Sequence, residues 1–247
     1  MVRRPRTFGT RPGGALRALC LVTVMLPHAI HAQTRHDLHL GREASITGMG
    51  VAFQGFSLWK SEQNRTRPIP AIDLMRVPGV DRVATKQWSL RAHRTSNVVF
   101  GVAMAASLAA AIANQHGVRP LLPVAIIAES GFFAAGLTNT VKELARRPRP
   151  YLYNSAVPAS AHHPGEDAVS FWSGHTANMA AITFSTANLV HHSNASPGFK
   201  TATWIGAALA PVAMGYLRVR AGRHFPTDVL TGYLVGAAVG FAVPYFH

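Results

Sequence analysis

Cysteine is almost missing: Cys20 is the only one among 247 residues. It lies inside an N-terminal leader, so the rest of the chain has no thiol. That excludes an intrachain disulfide, thiol catalysis and cysteine-ligated zinc. Acidic side chains are scarce as well, ten against 24 Lys and Arg. An imbalance of this size points to an anionic partner such as a nucleic acid, an anionic membrane or a phosphorylated substrate.

Five of the cations, Arg3, Arg4, Arg6, Arg11 and Arg17, precede an apolar stretch at 18–26 and small residues at 27–32. This is the order of an export signal. Cleavage after Ala32 leaves 19 cations against the ten acids, a formal charge of +9. An uncleaved signal anchor is the alternative, and either outcome carries residue 33 onward across the membrane. The expected organisation is therefore a signal peptide or signal anchor at 1–32, a polar periplasmic segment at 33–96 and a helical domain at 97–247. Within the polar segment Pro68, Pro70 and Pro78 interrupt any long periodic run. His36 and His39 read there as surface histidines, and 46–58 as a short apolar packing segment.

Residues 98–113 carry no charge and are rich in Ala, Val, Leu and Met, as in a helix buried on all sides. Similar runs follow at 121–141, 168–190, 201–217 and 227–246. Their lengths are close to the roughly 20 apolar residues a bilayer crossing needs. Small residues such as Ala105-Ala106 and Gly236-Ala237-Ala238 suit close helix approach. The fold expected is an all-α helical bundle, integral to the membrane with about five apolar helices after the leader, and a soluble periplasmic bundle is the alternative. Glu129, the one charge in the second run, is costly against lipid and has to face the bundle interior or a wet cavity.

Three segments carry chemistry. The first runs from Lys142 to Arg149-Pro150, with Glu143, Arg146 and Arg147 between; the second is Ser170-Phe171-Trp172-Ser173-Gly174-His175; the third runs from Arg218 through Arg220 and Arg223 to His224 and Asp228. A phosphate ester brings two or more negative charges, and its displacement spreads charge over oxygens that fixed donors must hold. Arg149 and Arg218 can supply bidentate forks, and Lys142 a compact charge. Ser173 and Gly174 stand where an apolar helix begins, with free amides suited to an anion; Ser173 can equally serve as a helix cap. His224 and Asp228 are four apart, on one face if Pro226 opens the last helix. A carboxylate on one imidazole nitrogen fixes the tautomer and leaves the other as a nucleophile. His175 is then free to protonate a leaving alcohol and activate water. A metal-dependent hydrolase fits poorly, because these segments hold only Glu143 and Asp228 beside at least six cations.

The three segments resemble the signature of the phosphatidic acid phosphatase type 2 superfamily, which includes membrane lipid phosphatases, bacterial class A acid phosphatases and vanadium haloperoxidases. Its pattern is Lys-x6-Arg-Pro, Pro-Ser-Gly-His and Ser-Arg-x5-His-x3-Asp, and the resemblance spans about residues 142–236. Trp172 stands where the pattern has proline, and Leu217 where it has serine. The resemblance implies a metal-independent phosphatase without cofactors. In it His224, Asp228 and His175 are catalytic, and Lys142, Arg149, Arg218, Ser173 and Gly174 hold the phosphate. The implied substrate is a phosphomonoester or pyrophosphate of a membrane lipid, hydrolysed through a phosphohistidine; the partners are that lipid and the membrane, with no nucleic acid.

With 33–96 in the periplasm, alternating crossings bring 142–169 and 218–226 out on the periplasmic face of the bacterial inner membrane. The opposite connections, 116–120 and 191–200, hold only Arg119 and Lys200, against the positive-inside bias. The outer arginines are accounted for by the anion they hold. A soluble class A-like acid phosphatase, a vanadium haloperoxidase and a non-catalytic anion-binding membrane protein are the remaining alternatives.

Overall fold

Ala-, Val- and Leu-rich runs propagate helix, in α5 and α6 past Pro211 and Pro244, and the computed structural model is built from them. It describes residues 40–113 and 121–247; the leader with Cys20, together with His36, His39 and Arg119, lies outside the described residues. The helices are α1 (Leu40–Asn64), α2 (Leu90–Ala113), α3 (Leu122–Ala145), α4 (Gly174–His191), α5 (Pro197–Arg220) and α6 (Pro226–Phe246). Short 3-10 turns occupy Leu74–Arg76 and Gly79–Lys86 before α2, and there is no strand among the described residues. Proline at the first turn opens α3, α5 and α6, where the missing N–H costs no helical bond.

The bundle is all-α, as expected, and four stretches are long and apolar enough to cross a membrane: Leu90–Ala113, Leu122–Tyr153, Pro197–Arg220 and Pro226–Phe246. Their outward faces are apolar. Val98, Val102, Leu209, Val212, Leu230 and Leu234 are each more than half exposed, a pattern that suits lipid.

The expected fifth apolar helix differs in kind. The helix in 168–190 starts only at Gly174, and 13 of the 18 residues of α4 are buried. Packed against α2, α3, α5 and α6, it has no need of a lipid-compatible surface. It can therefore carry polar side chains whose hydroxyls bond its own carbonyls: Thr183 Oγ1 donates to Met179 O and Thr186 Oγ1 to Ile182 O, both at 2.8 Å. Ser130 of α3 meets Ser185 of α4 at 3.2 Å.

Two seams of small residues set the helix spacing. On α6 a Cβ at Gly232, Gly236 or Gly240 would run into the carbonyl oxygens of Ser173, Ala177 and Ala181 on α4. The glycines recur every four residues, so α4 and α6 run parallel side by side, with the start of α4 beside residues 228–232 of α6. On α3, a Cβ at Gly136 would come within 2.9 Å of Gly50 O on α1. The apolar segment 46–58 is thus the middle of a 25-residue helix that runs along α3. Thr140 Oγ1 donates to Phe53 O at 2.8 Å, and Asn64 Nδ2 to Glu143 O at 2.9 Å.

Candidate active site

The starts of α2, α4 and α6 and the ends of α3 and α5 gather at one end of the bundle. The α4–α6 register lets Ser173 N donate to Asp228 O at 3.0 Å. Within the α3–α4 connection Arg149 N donates to Asp167 O at 2.8 Å and Ser170 N to Arg147 O at 2.9 Å, and Tyr151 N ties it to the α5–α6 connection by donating to Gly222 O at 3.1 Å. The Asp167 carboxylate accepts from the Tyr151 hydroxyl and from His163 N. Residues far apart in sequence are thereby fixed at one place.

His224 is 1% exposed. Its Nδ1 lies 2.8 Å from Ser170 O; a carbonyl only accepts, so Nδ1 carries the proton and Nε2 keeps its lone pair. Burial first, then the charges of Arg149, Arg218 and Lys142, hold its pKa well below the ordinary imidazole value, against the weaker pull of the Ser170 carbonyl. The ring is held neutral and oriented by the backbone, with the Nε2 lone pair available.

Asp228 does not take the position expected of it. Its Oδ2 is 3.7 Å from His224 Nδ1, beyond hydrogen-bond distance. That oxygen accepts instead from Ser170 Oγ at 2.5 Å and Phe225 N at 2.9 Å, while Oδ1 takes Arg147 at 2.5 Å. As the third residue of α6, the carboxylate folds back to cap the helix start. It holds His224 indirectly, through Ser170, whose hydroxyl it binds and whose carbonyl binds the ring.

The cations converge. Arg149 is 5% and Arg218 4% exposed. Arg149 Nε donates to Glu166 O at 2.6 Å and Nη1 to Arg223 O at 3.1 Å. Arg218 Nη1 donates to His93 Nδ1 and Ser96 Oγ, both at 3.0 Å. Lys142 sits against the start of α4, where a Cβ at Gly174 would stand 3.2 Å from its Nζ. Glycine at 174 keeps that approach open.

Ser173 caps α4, accepting from Thr176 N at 3.4 Å with Thr176 Oγ1 2.9 Å away. His175 lies within electrostatic reach of Arg218 and Lys142, and its Nε2 meets Asn97 Oδ1 at 2.9 Å. Trp172 is buried: its indole N–H donates to Thr138 Oγ1 at 2.7 Å, so it packs the wall on the α3 side. Leu217, in the position of the family serine, is half-buried; the hydroxyl that reaches Arg218 comes from Ser96 on α2.

Several participants lie outside the expected set. Arg223, 7% exposed, pairs with Glu166 at 2.9 Å and stacks over Tyr151. Burial would raise the Glu166 carboxyl, but Arg149 and Arg223 outweigh it and the net shift is downward, so Glu166 is ionised. Arg147 bridges two carboxylates that are fully buried, Asp228 and, at 2.7 Å, Asp81. Asp81 in turn accepts from Thr227 N at 3.0 Å and Thr227 Oγ1 at 2.6 Å. Only Arg147 and Arg223 had a visible signal, their places within the motif segments. His93, Ser96, Asp81 and Glu166 are brought in by tertiary contact.

Two buried donors, Nε of Arg218 and Nε of Arg223, have no hydrogen-bond partner. Orphaned guanidinium N–H groups beside Arg149, Lys142 and a neutral imidazole suit an anion with several oxygen acceptors and an electrophilic centre within reach of Nε2.

A family model described as the PAP2 superfamily matches residues 123–247. No curated protein matches the chain. Among solved structures, the chain is similar to the crystal structure of a transmembrane PAP2-type phosphatidylglycerolphosphate phosphatase from Bacillus subtilis. The TM-score is 0.50 and the identity 23%, over 80% of this chain and 95% of that one. At that identity the likeness concerns the fold.

Proposed function

The chain belongs to the PAP2 superfamily, and from that membership we propose that it is a membrane phosphatase acting on a phosphorylated lipid. The observation that carries the reading is the pair of orphaned, buried arginine donors beside a neutral His224, at one end of a bundle with apolar flanks. A phosphate held there has its ester chain at the boundary of those flanks, where a lipid tail can stay in the bilayer. The similar Bacillus subtilis phosphatase is a transmembrane protein that acts on phosphatidylglycerolphosphate, which supports a lipid as substrate.

In the proposed reaction His175, held neutral by burial and by the Arg218 and Lys142 charges, takes a proton from solvent once the phosphate dianion offsets those charges. Nε2 of His224 attacks phosphorus, the bond to the ester oxygen breaks, and the alcohol leaves with that proton. Arg149, Arg218 and Lys142 hold the equatorial oxygens, joined by the unpaired N–H of Arg223. Water, activated by His175, then attacks the phosphohistidine and returns His224 with inorganic phosphate. The common end of the motifs supports one site on one membrane face, proposed to be the periplasmic face of the inner membrane. The test is a phosphate-release panel of lipid and water-soluble phosphates in detergent, with a chelator arm. Release from lipid phosphates is expected, lost in His224→Ala and unchanged in initial rate by chelator; release unaffected by His224→Ala sinks the mechanism.

A further inference from the structure

The charge that lipid would not tolerate, Glu129, is not part of the cationic end. It precedes Lys142 by 13 residues of α3, about 20 Å at 1.5 Å per residue. Around it meet the first turn of α1 and the end of α6. Nε2 of His247 lies 2.8 Å from Glu43 Oε2 and 3.0 Å from Glu129 Oε2. These three residues offer one ligand atom each, all within 4.8 Å of one another.

The tautomer decides what this cluster can be. His247 is 2% exposed and its Nδ1 lies 2.8 Å from Val243 O. That carbonyl only accepts, so Nδ1 carries a proton and the Nε2 lone pair faces two carboxylates. Like charges crowded around a lone pair need a positive charge among them, a shared proton or a metal ion, and the Arg42 contact, at 3.4 Å, is to Glu43 Oε1 rather than to the oxygen that faces His247. A proton on Nε2 serves one line only, toward Glu43. Glu129, with its side chain 9% exposed, then keeps a buried Oε2 with no hydrogen-bond partner. Its other oxygen is already fixed by Thr47 Oγ1 at 2.9 Å. A metal ion satisfies all three atoms at once and leaves a fourth position for water.

We propose that Glu43, Glu129 and His247 bind a divalent transition-metal ion of the zinc class, which clasps α1, α3 and α6 at the end of the bundle remote from His224. Imidazole with two carboxylates suits zinc, whereas calcium and magnesium prefer all-oxygen shells. Val243 O and Thr47 are the outer partners that orient the ligands.

The test uses the full chain purified in detergent, stripped with chelator and titrated with ZnCl2, read by elemental analysis after gel filtration and by thermal unfolding. The expected result is one zinc per chain and a raised Tm. Glu129→Gln should weaken binding about 100-fold, and Thr47→Val about tenfold, in line with ligand and outer-partner losses. Glu129→Gln should leave the initial phosphate-release rate unchanged, which also reports that the variant folds. If wild type retains no stoichiometric zinc, or binding is indifferent to both Glu129→Gln and His247→Ala, the cluster is an imidazolium clasp and the proposal fails.

Discussion

At the scale of single residues, the proposed chemistry follows from how His224 is held. A backbone carbonyl sets its tautomer, and its depressed pKa keeps it neutral as pH falls. A lowered folded-state pKa means the reactive form persists below pH 6.5. The acid limb of kcat/KM, corrected for the substrate's own ionisation near pH ~6, should therefore lie well under the ordinary imidazole value; a midpoint at 6.5 contradicts this. The same shift has a stability consequence. The unfolded chain takes up a proton at this position below about pH 6.5 while the fold does not, so this contribution to Tm shrinks as pH falls through that value. Arg218→Lys keeps the charge but loses the fork held by His93 and Ser96. It is expected to cost about 100-fold in kcat, as for loss of one oriented oxyanion donor. Asp81 is expected to matter for stability: Asp81→Ala leaves Arg147 half-paired, and about 3 kcal/mol of unfolding free energy should be lost, seen as a lower midpoint in denaturant.

Secondary-structure elements explain why the motif residues meet. Their local spacing made Lys142, Arg149, Ser173, Gly174, His175, Arg218, His224 and Asp228 legible, because those positions recur as one pattern. It did not reveal Asp81, which reaches Arg147 across 66 residues, nor His93 and Ser96, which reach Arg218 from α2 across 125 and 122. The expected carboxylate–imidazole bond failed for a related reason: helix capping and Arg147 compete for the same two oxygens. Helix α1 was legible only as the short apolar segment 46–58; its Gly50 lies against α3, where a Cβ would meet Phe132 at 2.8 Å. The α4–α6 seam makes a direct prediction. In Gly236→Leu the side chain meets the Ala177 carbonyl, so the helices separate, stability falls by about 1–3 kcal/mol and activity falls with it, because Ser173 and Asp228 no longer meet.

For the whole molecule, apolar residues face outward and polar ones are collected in α4 and at the two ends. Carbonate washing of membranes should leave the protein in the pellet; release into the supernatant contradicts the bilayer reading. On the proposed reading the two ends divide the work, with phosphate release at the cationic end and helix clasping at the Glu129 end.

The central claim is the phosphoryl group on His224. Rapid mixing with a substrate labelled in its phosphate, followed by alkaline quench, should trap up to one label per chain. That label should be stable in base, released by acid and absent in His224→Ala. A label that survives acid, or one that persists in His224→Ala, would contradict the account.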